Sequence, residues 1–238
     1  MKRQRILFLL LSAALTLWST LPGRSLAAGA EAEIPEANYV ALTFDDGPRP
    51  DTTPRLLDGL RARGASATFF LVGNQIEANR DLVLRMKAEG HQIGNHTWDH
   101  EKLQGASAAE VAQEVQRTDR ALRGVLGGGE YWVRPPYGLV GDGQRRLFSV
   151  PLVKWSVDPQ DWKLRSADAD VAAVLRCVRP GAIILLHDSV AASVDAALRI
   201  VDALEARDYE FVTVRELLAL YGVTPQAGVL YCAADLAR

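Results

Sequence analysis

Short apolar runs of strand length alternate with helical patterns from residue 39 to residue 221, and this alternation constrains the fold more than any other feature. Strand-like runs fall at 39–44, 67–72, 91–95, 131–133, 152–155, 182–186 and 210–212. Helical patterns fall between them at 54–63, 81–89, 107–126, 168–177 and 194–207, and a last one ends at Tyr221. Gly64 and Gly90 close the first two helices. Ser107 with Glu110, and Thr213 with Glu216, have the spacing of capping boxes. Parallel strands need such helical crossovers, so the chain is of the α/β class, a single domain with about seven parallel strands. An open doubly wound sheet and a closed barrel both fit this pattern.

The first 27 residues do not belong to that domain. Lys2, Arg3 and Arg5 precede an apolar run at 6–18, and small residues follow at 25–28, which is the layout of an export signal. The run is too short for a comfortable membrane span, and no Cys follows it to carry a lipid. The organisation expected is a signal peptide at 1–27, a short lead at 28–38, the domain at 39–221 and a tail without motifs at 222–238. Cleavage would remove Lys2, Arg3, Arg5 and Arg24 and no acid, taking the formal charge from −2 to about −6. The mature chain then has no basic run and no span. Nucleic acid is excluded as a partner, the location expected is periplasmic or extracellular, and a monomer is expected. Export permits a disulfide between Cys177 and Cys232, but spacing alone does not pair them.

The polar clusters share one position in the pattern. Asp45 and Asp46 follow the first strand, His96 and His100 the third, Arg134 the fourth, Asp158 and Asp161 the fifth, and His187 and Asp188 the sixth. The carboxyl ends of the strands are where α/β barrels and open sheets place their active sites. His96 and His100 are four residues apart and can reach one metal ion. On a regular strand Asp45 and Asp46 would point to opposite faces, but the turn forced by Gly47-Pro48 can aim both into one pocket. One of these carboxylates can complete a two-His, one-carboxylate site, and the other can act as a base. Hydrolysis of an amide also needs an acid for the leaving nitrogen, and His187 is delivered to the same face. Of the remaining polar and aromatic residues, His91 reads as structural, Asp99 and Asp188 as loop or supporting groups, and Trp132 as buried; Trp98 can either pack or stack on a ligand.

Together these segments resemble the polysaccharide deacetylases with a NodB-type homology domain, carbohydrate esterase family 4. The resemblance covers about residues 39–221 and rests on five motifs in the family's order: TFDDGP at 43–48, HTWDH at 96–100, RPPY at 134–137, DPQDW at 158–162 and LLH at 185–187. It implies a distorted (β/α) barrel in place of the open sheet. It also implies roles. Asp45 is the general base, and Asp46, His96 and His100 are ligands for zinc, with cobalt or another divalent ion possible. Arg134 pairs with the base, and the backbone N–H of Tyr137 helps hold the oxyanion. Asp161 orients His187, the general acid, while Trp162 and Leu185 wall the acetyl methyl. The substrate implied is an acetylated polysaccharide or oligosaccharide, with peptidoglycan, chitin oligomers and poly-N-acetylglucosamine all open.

Three other readings use the same residues differently. An esterase acting on O-acetylated sugar, such as acetylxylan, would need the same metal, base and acid. A non-heme iron oxygenase also uses two His and one carboxylate, but its usual His-x-Asp on a β-sandwich does not match an Asp far upstream in an α/β pattern. A non-catalytic glycan-binding module would be expected to have lost a motif residue, and none is lost here.

Overall fold

The computed structural model describes residues 37–234. The expected signal peptide, and all of the lead but its last two residues, lie outside that range. In chain order the elements are β1 Asn38–Asp45, α1 Thr53–Ala62, β2 Ala67–Leu71, α2 Arg80–Ala88, β3 Gln92–Asn95, α3 Ala108–Leu126, α4 Asp142–Arg145, β4 Leu152–Val153, α5 Asp161–Leu164, α6 Ala167–Cys177, β5 Ile183–His187, α7 Ala191–Glu205, β6 Tyr209–Phe211, α8 Val214–Leu220 and β7 Leu230–Tyr231. Both expected capping boxes are formed. Ser107 accepts from the N–H of Glu110 and Thr213 from that of Glu216, and each glutamate reaches back to its cap.

The strands close into a ring. β1 is central, paired in parallel with β2 on one side and β5 on the other, while β6 pairs with its first three residues. β2 pairs with β3, and β3 passes to Val133 through a single bridge at Asn95. Val133 bridges Leu152, and the same stretch of chain runs on to Val157, which bridges Ile184 of β5. This closure favours the barrel over the open sheet.

Two features differ from expectation. Residues 131–133 do not form a strand, because only Val133 bridges its neighbours. The tail beyond residue 221 is not separate from the domain. β7 pairs in parallel with β4, Ala233 bridges Ala182, and Tyr231 and Ala234 are buried in the barrel's own core. The tail has an apolar run at 229–234 but carries no motif, so the sequence pattern passed over it.

Period-2 alternation divides each central strand between two cores. Val40, Leu42 and Phe44 of β1 pack outward with Leu56, Leu57, Ile200 and Val201 of α1 and α7. Ala41 points inward with Phe70, Val153 and Ile183, and Val214, Leu217 and Leu218 of α8 join this inner cluster. The inward series of β1 is therefore Ala41, Thr43, Asp45. It begins apolar at the amino end of the strand and becomes charged at the carboxyl end. Cys177 and Cys232 are not bonded to each other.

Candidate active site

Ten residues line a cleft of about 350 Å³ at the carboxyl ends of the strands: Asp45, Asp46, His96, His100, Tyr137, Trp155, Asp158, Trp162, Leu185 and His187. Every sequence-selected site residue except Arg134 and Asp161 is among them, and those two lie directly behind the wall.

Asp45 ends β1 on the inward face, and Asp46 adopts a left-handed backbone, φ 72°. That conformation breaks the strand's alternation and turns the second carboxylate into the same cleft. Gly47 must lack a side chain, since a Cβ there would fall 2.4 Å from a carboxylate oxygen of the buried Asp188. Asp188 in turn accepts a hydrogen bond from the Thr53 hydroxyl, and burial raises its pKa to about 7. Thr97, His100, Tyr137 and Gln160 also sit at positive φ, so strained backbone concentrates at this rim.

Arg134 is fully buried and binds in three directions. Its Nη1 donates to Asp45 Oδ1 at 2.7 Å and to the Thr43 hydroxyl at 2.8 Å, and its Nη2 donates to the Lys154 carbonyl at 2.8 Å. Its guanidinium lies over Phe70, 4.1 Å from the ring centre. Burial alone would raise the pKa of Asp45. Arg134, with help from His96 and His187, outweighs it and holds the carboxyl below its ordinary value, so it is ionised at neutral pH.

Asp46, His96 and His100 bring one ligand atom each to within 4.8 Å of one another. His96 Nε2 and His100 Nε2 lie 3.6 and 3.5 Å from Asp46 Oδ1. Tetrahedral coordination with bonds of ~2.1 Å places ligands ~3.4 Å apart, so the spacing suits a metal ion. The ring orientation agrees. His96 Nδ1 lies 2.7 Å from the Arg134 carbonyl, which can only accept, so Nδ1 carries the proton and Nε2 offers its lone pair to the cleft. Burial, reinforced by His96, holds His100 below the ordinary histidine pKa, and its neutral form is the ligating one. Asp46 Oδ1 is buried with no hydrogen-bond partner among the described residues, as expected of an atom whose partner is a cation.

Across the cleft, His187 Nδ1 lies 2.8 Å from Asp161 Oδ1, and the other oxygen of that carboxylate accepts the His187 backbone N–H at 2.8 Å. Burial would lower the pKa of His187, but Asp161 dominates and raises it to about 9. The imidazolium is therefore the resting form. Leu185 is buried in the wall, while Trp162 and Tyr137 stand more than half exposed at the rim.

Sequence reasoning missed several supporting groups. Trp155 lines the cleft although its run read only as strand. Asp170 of α6 is buried near Asp161, with both carboxylate oxygens unpaired among the described residues, and burial with the Asp161 charge raises its pKa to about 6. No motif marks either residue.

A family model for polysaccharide deacetylases matches residues 32–148. Peptidoglycan-N-acetylglucosamine deacetylase PgdA of Listeria monocytogenes is 40% identical over 205 residues, covering 84% of this chain and 43% of that protein. A chitooligosaccharide deacetylase of Sinorhizobium fredii is 40% identical over 171 residues, covering 68% of this chain and 80% of that protein. The structure of a family 4 acetyl xylan esterase from Clostridium thermocellum, in complex with a cobalt ion, superposes with a TM-score of 0.78 at 32% identity, covering 82% of this chain and 98% of that one. The fold is thus that of the family's solved members. The chain belongs to the polysaccharide deacetylase family, carbohydrate esterase family 4. It spans less than half the length of the Listeria relative.

Proposed function

We propose that this protein is an exported, zinc-dependent hydrolase that removes N-acetyl groups from the amino sugars of a polysaccharide. The observation that carries the reading is one cleft that brings together three convergent metal ligands, a carboxylate paired with a buried arginine, Asp45, and an imidazole paired with a buried carboxylate, His187. When bound, the ion supplies Lewis acidity to the acetyl carbonyl and makes a water beside it more acidic. Asp45, fixed by Arg134, takes the proton from the attacking water. The Tyr137 backbone N–H, in the role the family resemblance implies, would help hold the oxygen that becomes negative. His187, aligned by Asp161, gives its proton to the departing nitrogen, and Trp162 and Leu185 leave room for a methyl group. Export rests on the 1–27 pattern, and among the described residues no helix is long and apolar enough to cross a membrane.

The same cleft can serve an ester, as the acetyl xylan esterase relative indicates. Acetate release should therefore be measured on acetylated peptidoglycan, chitin oligomers, poly-N-acetylglucosamine and O-acetylated xylan, with and without chelator. Turnover of the amide substrates is expected. Turnover of xylan alone would replace the reading with the esterase, and glycan binding without any turnover would replace it with a binding module.

The ligands lie beside two buried apolar clusters that need no metal, so the apo protein is expected to fold. Chelation should leave its circular dichroism unchanged and abolish acetate release, and zinc or cobalt should restore the activity. Full turnover by metal-free protein would contradict the mechanism. His96→Ala and His100→Ala are each expected to lose zinc uptake and turnover together, as measured by metal analysis after gel filtration.

A further inference from the structure

The HTWDH segment carries both histidine ligands on a loop whose backbone is strained in two places, Thr97 at φ 66° and His100 at φ 62°. A left-handed position is unfavourable for a residue with a side chain, so the loop needs an external hold. Between those two residues, the N–H groups of Trp98 and Asp99 point the same way and converge on one atom, Glu114 Oε2, at 2.9 and 3.0 Å. Glu114 lies two turns into α3, outside every motif. One turn further on, Arg117 lies over the Trp98 ring, 3.9 Å from its centre. The carbonyl of Val115, between them, accepts from the Asn95 side chain at 2.9 Å, and Asn95 Oδ1 accepts the Thr97 N–H at 2.9 Å. From the other side, Gly73 and Asn74 donate their N–H groups to the carbonyls of Thr97 and Trp98.

We propose that Glu114 is a positioning residue for the metal centre: its carboxylate clamps the Trp98 and Asp99 N–H groups and so fixes the strained loop that aims His96 and His100. The proposal rests on the reading of Asp46, His96 and His100 as metal ligands. Glu114 does not line the cleft, and its carboxylate binds backbone N–H groups of the loop. It acts through the backbone, so its removal changes how often both imidazoles are in place before the ion arrives. Groups that orient ligands in this way are typically worth about 10- to 100-fold in metal affinity. One oxygen accepts both N–H groups, so what matters is an acceptor at that point rather than a negative charge, and the carbonyl oxygen of a glutamine can supply it.

The test measures the zinc dissociation constant of wild type, Glu114→Gln, Glu114→Asp and Glu114→Ala by competition with a chromophoric chelator, alongside the apo melting temperature. Glu114→Gln is expected to bind zinc within a few-fold of wild type. Glu114→Asp, one methylene short, and Glu114→Ala are expected to bind progressively more weakly, the last by about 10- to 100-fold. Turnover per bound ion should be preserved at saturating zinc, which separates positioning from catalysis. If Glu114→Ala does not fold, Glu114→Asp carries the comparison. Wild-type zinc affinity in Glu114→Asp and in any folded Glu114→Ala would overturn the proposal while leaving the metal site intact. Failure of wild type itself to bind zinc, with His96→Ala no different, would overturn the metal-centre reading and this role with it.

Discussion

Asp45→Asn is expected to lower turnover by roughly 100- to 10,000-fold while leaving zinc uptake intact. Asparagine has nearly the shape of aspartate and can still accept from Arg134 Nη1, but it cannot take a proton from water. Asp46→Asn should do the reverse and lose metal, because Asp46 Oδ1 is the atom that converges with the two imidazoles. Asp45→Asn should also lower stability. Arg134 is fully buried, and without the Asp45 charge its guanidinium is uncompensated, at a cost of roughly 3 kcal/mol. Metal analysis, steady-state kinetics and a thermal melt on the two variants settle the assignment. Metal loss in Asp45→Asn with retention in Asp46→Asn would exchange the two roles.

The second large effect concerns the alkaline side of the pH profile. Activity requires Asp45 ionised and His187 protonated at once. Arg134 holds Asp45 below its ordinary carboxylate value, so the acid limb set by this group lies at low pH. His187 is raised to about 9, so it keeps its proton across neutral pH and activity should fall only as pH passes through that value. The same sign governs stability. The folded pKa of His187 lies above its unfolded value, so the stabilisation from the Asp161 pair is complete below the unfolded pKa and is lost as pH rises towards about 9. Asp161→Asn removes the main group favouring the imidazolium and leaves its burial cost. It should therefore shift the alkaline limb to lower pH and reduce the rate. His187→Ala should slow an amide substrate more than an activated ester, because an amine departs poorly without a proton. An unmoved alkaline limb in Asp161→Asn, with equal losses on amide and ester in His187→Ala, would remove His187 as the acid.

The order of strands and the principal site residues were legible because both follow from local chemistry. Apolar runs announce strands. A charged residue directly after such a run has to be at the strand's carboxyl end, which is why Asp45, His96, Arg134 and His187 could be placed together from the chain alone. What was not legible depends on distant partners. The stretch at 131–133 has a strand's composition but pairs only through Val133, with Asn95 on one side and Leu152 on the other. Leu230–Tyr231 becomes a strand only because β4, distant in sequence, offers it a parallel partner. Glu114 looks like any solvated helix residue until the loop from Asn95 to Asp99 is laid against α3. Asp170 reads as an ordinary helix position and Asp188 as a loop or supporting group, and only the packing around them buries their carboxyl groups.

The central position of β1 bears on how the chain comes to fold. It is made first among the strands, yet one whole side of it waits for β5. The bond from the Thr43 hydroxyl to the Ile184 carbonyl spans 141 residues, and β7, which pairs with β4, comes later still. Contacts this remote in sequence make folding slow and place closure of the ring at the end of synthesis. A ribosome-bound chain that has emerged only as far as α6 therefore has its central strand half uncovered and should be sensitive to protease. Protection should appear abruptly once β5 is released, and shortening the chain before β7 should leave Val153 and Trp132 exposed to solvent.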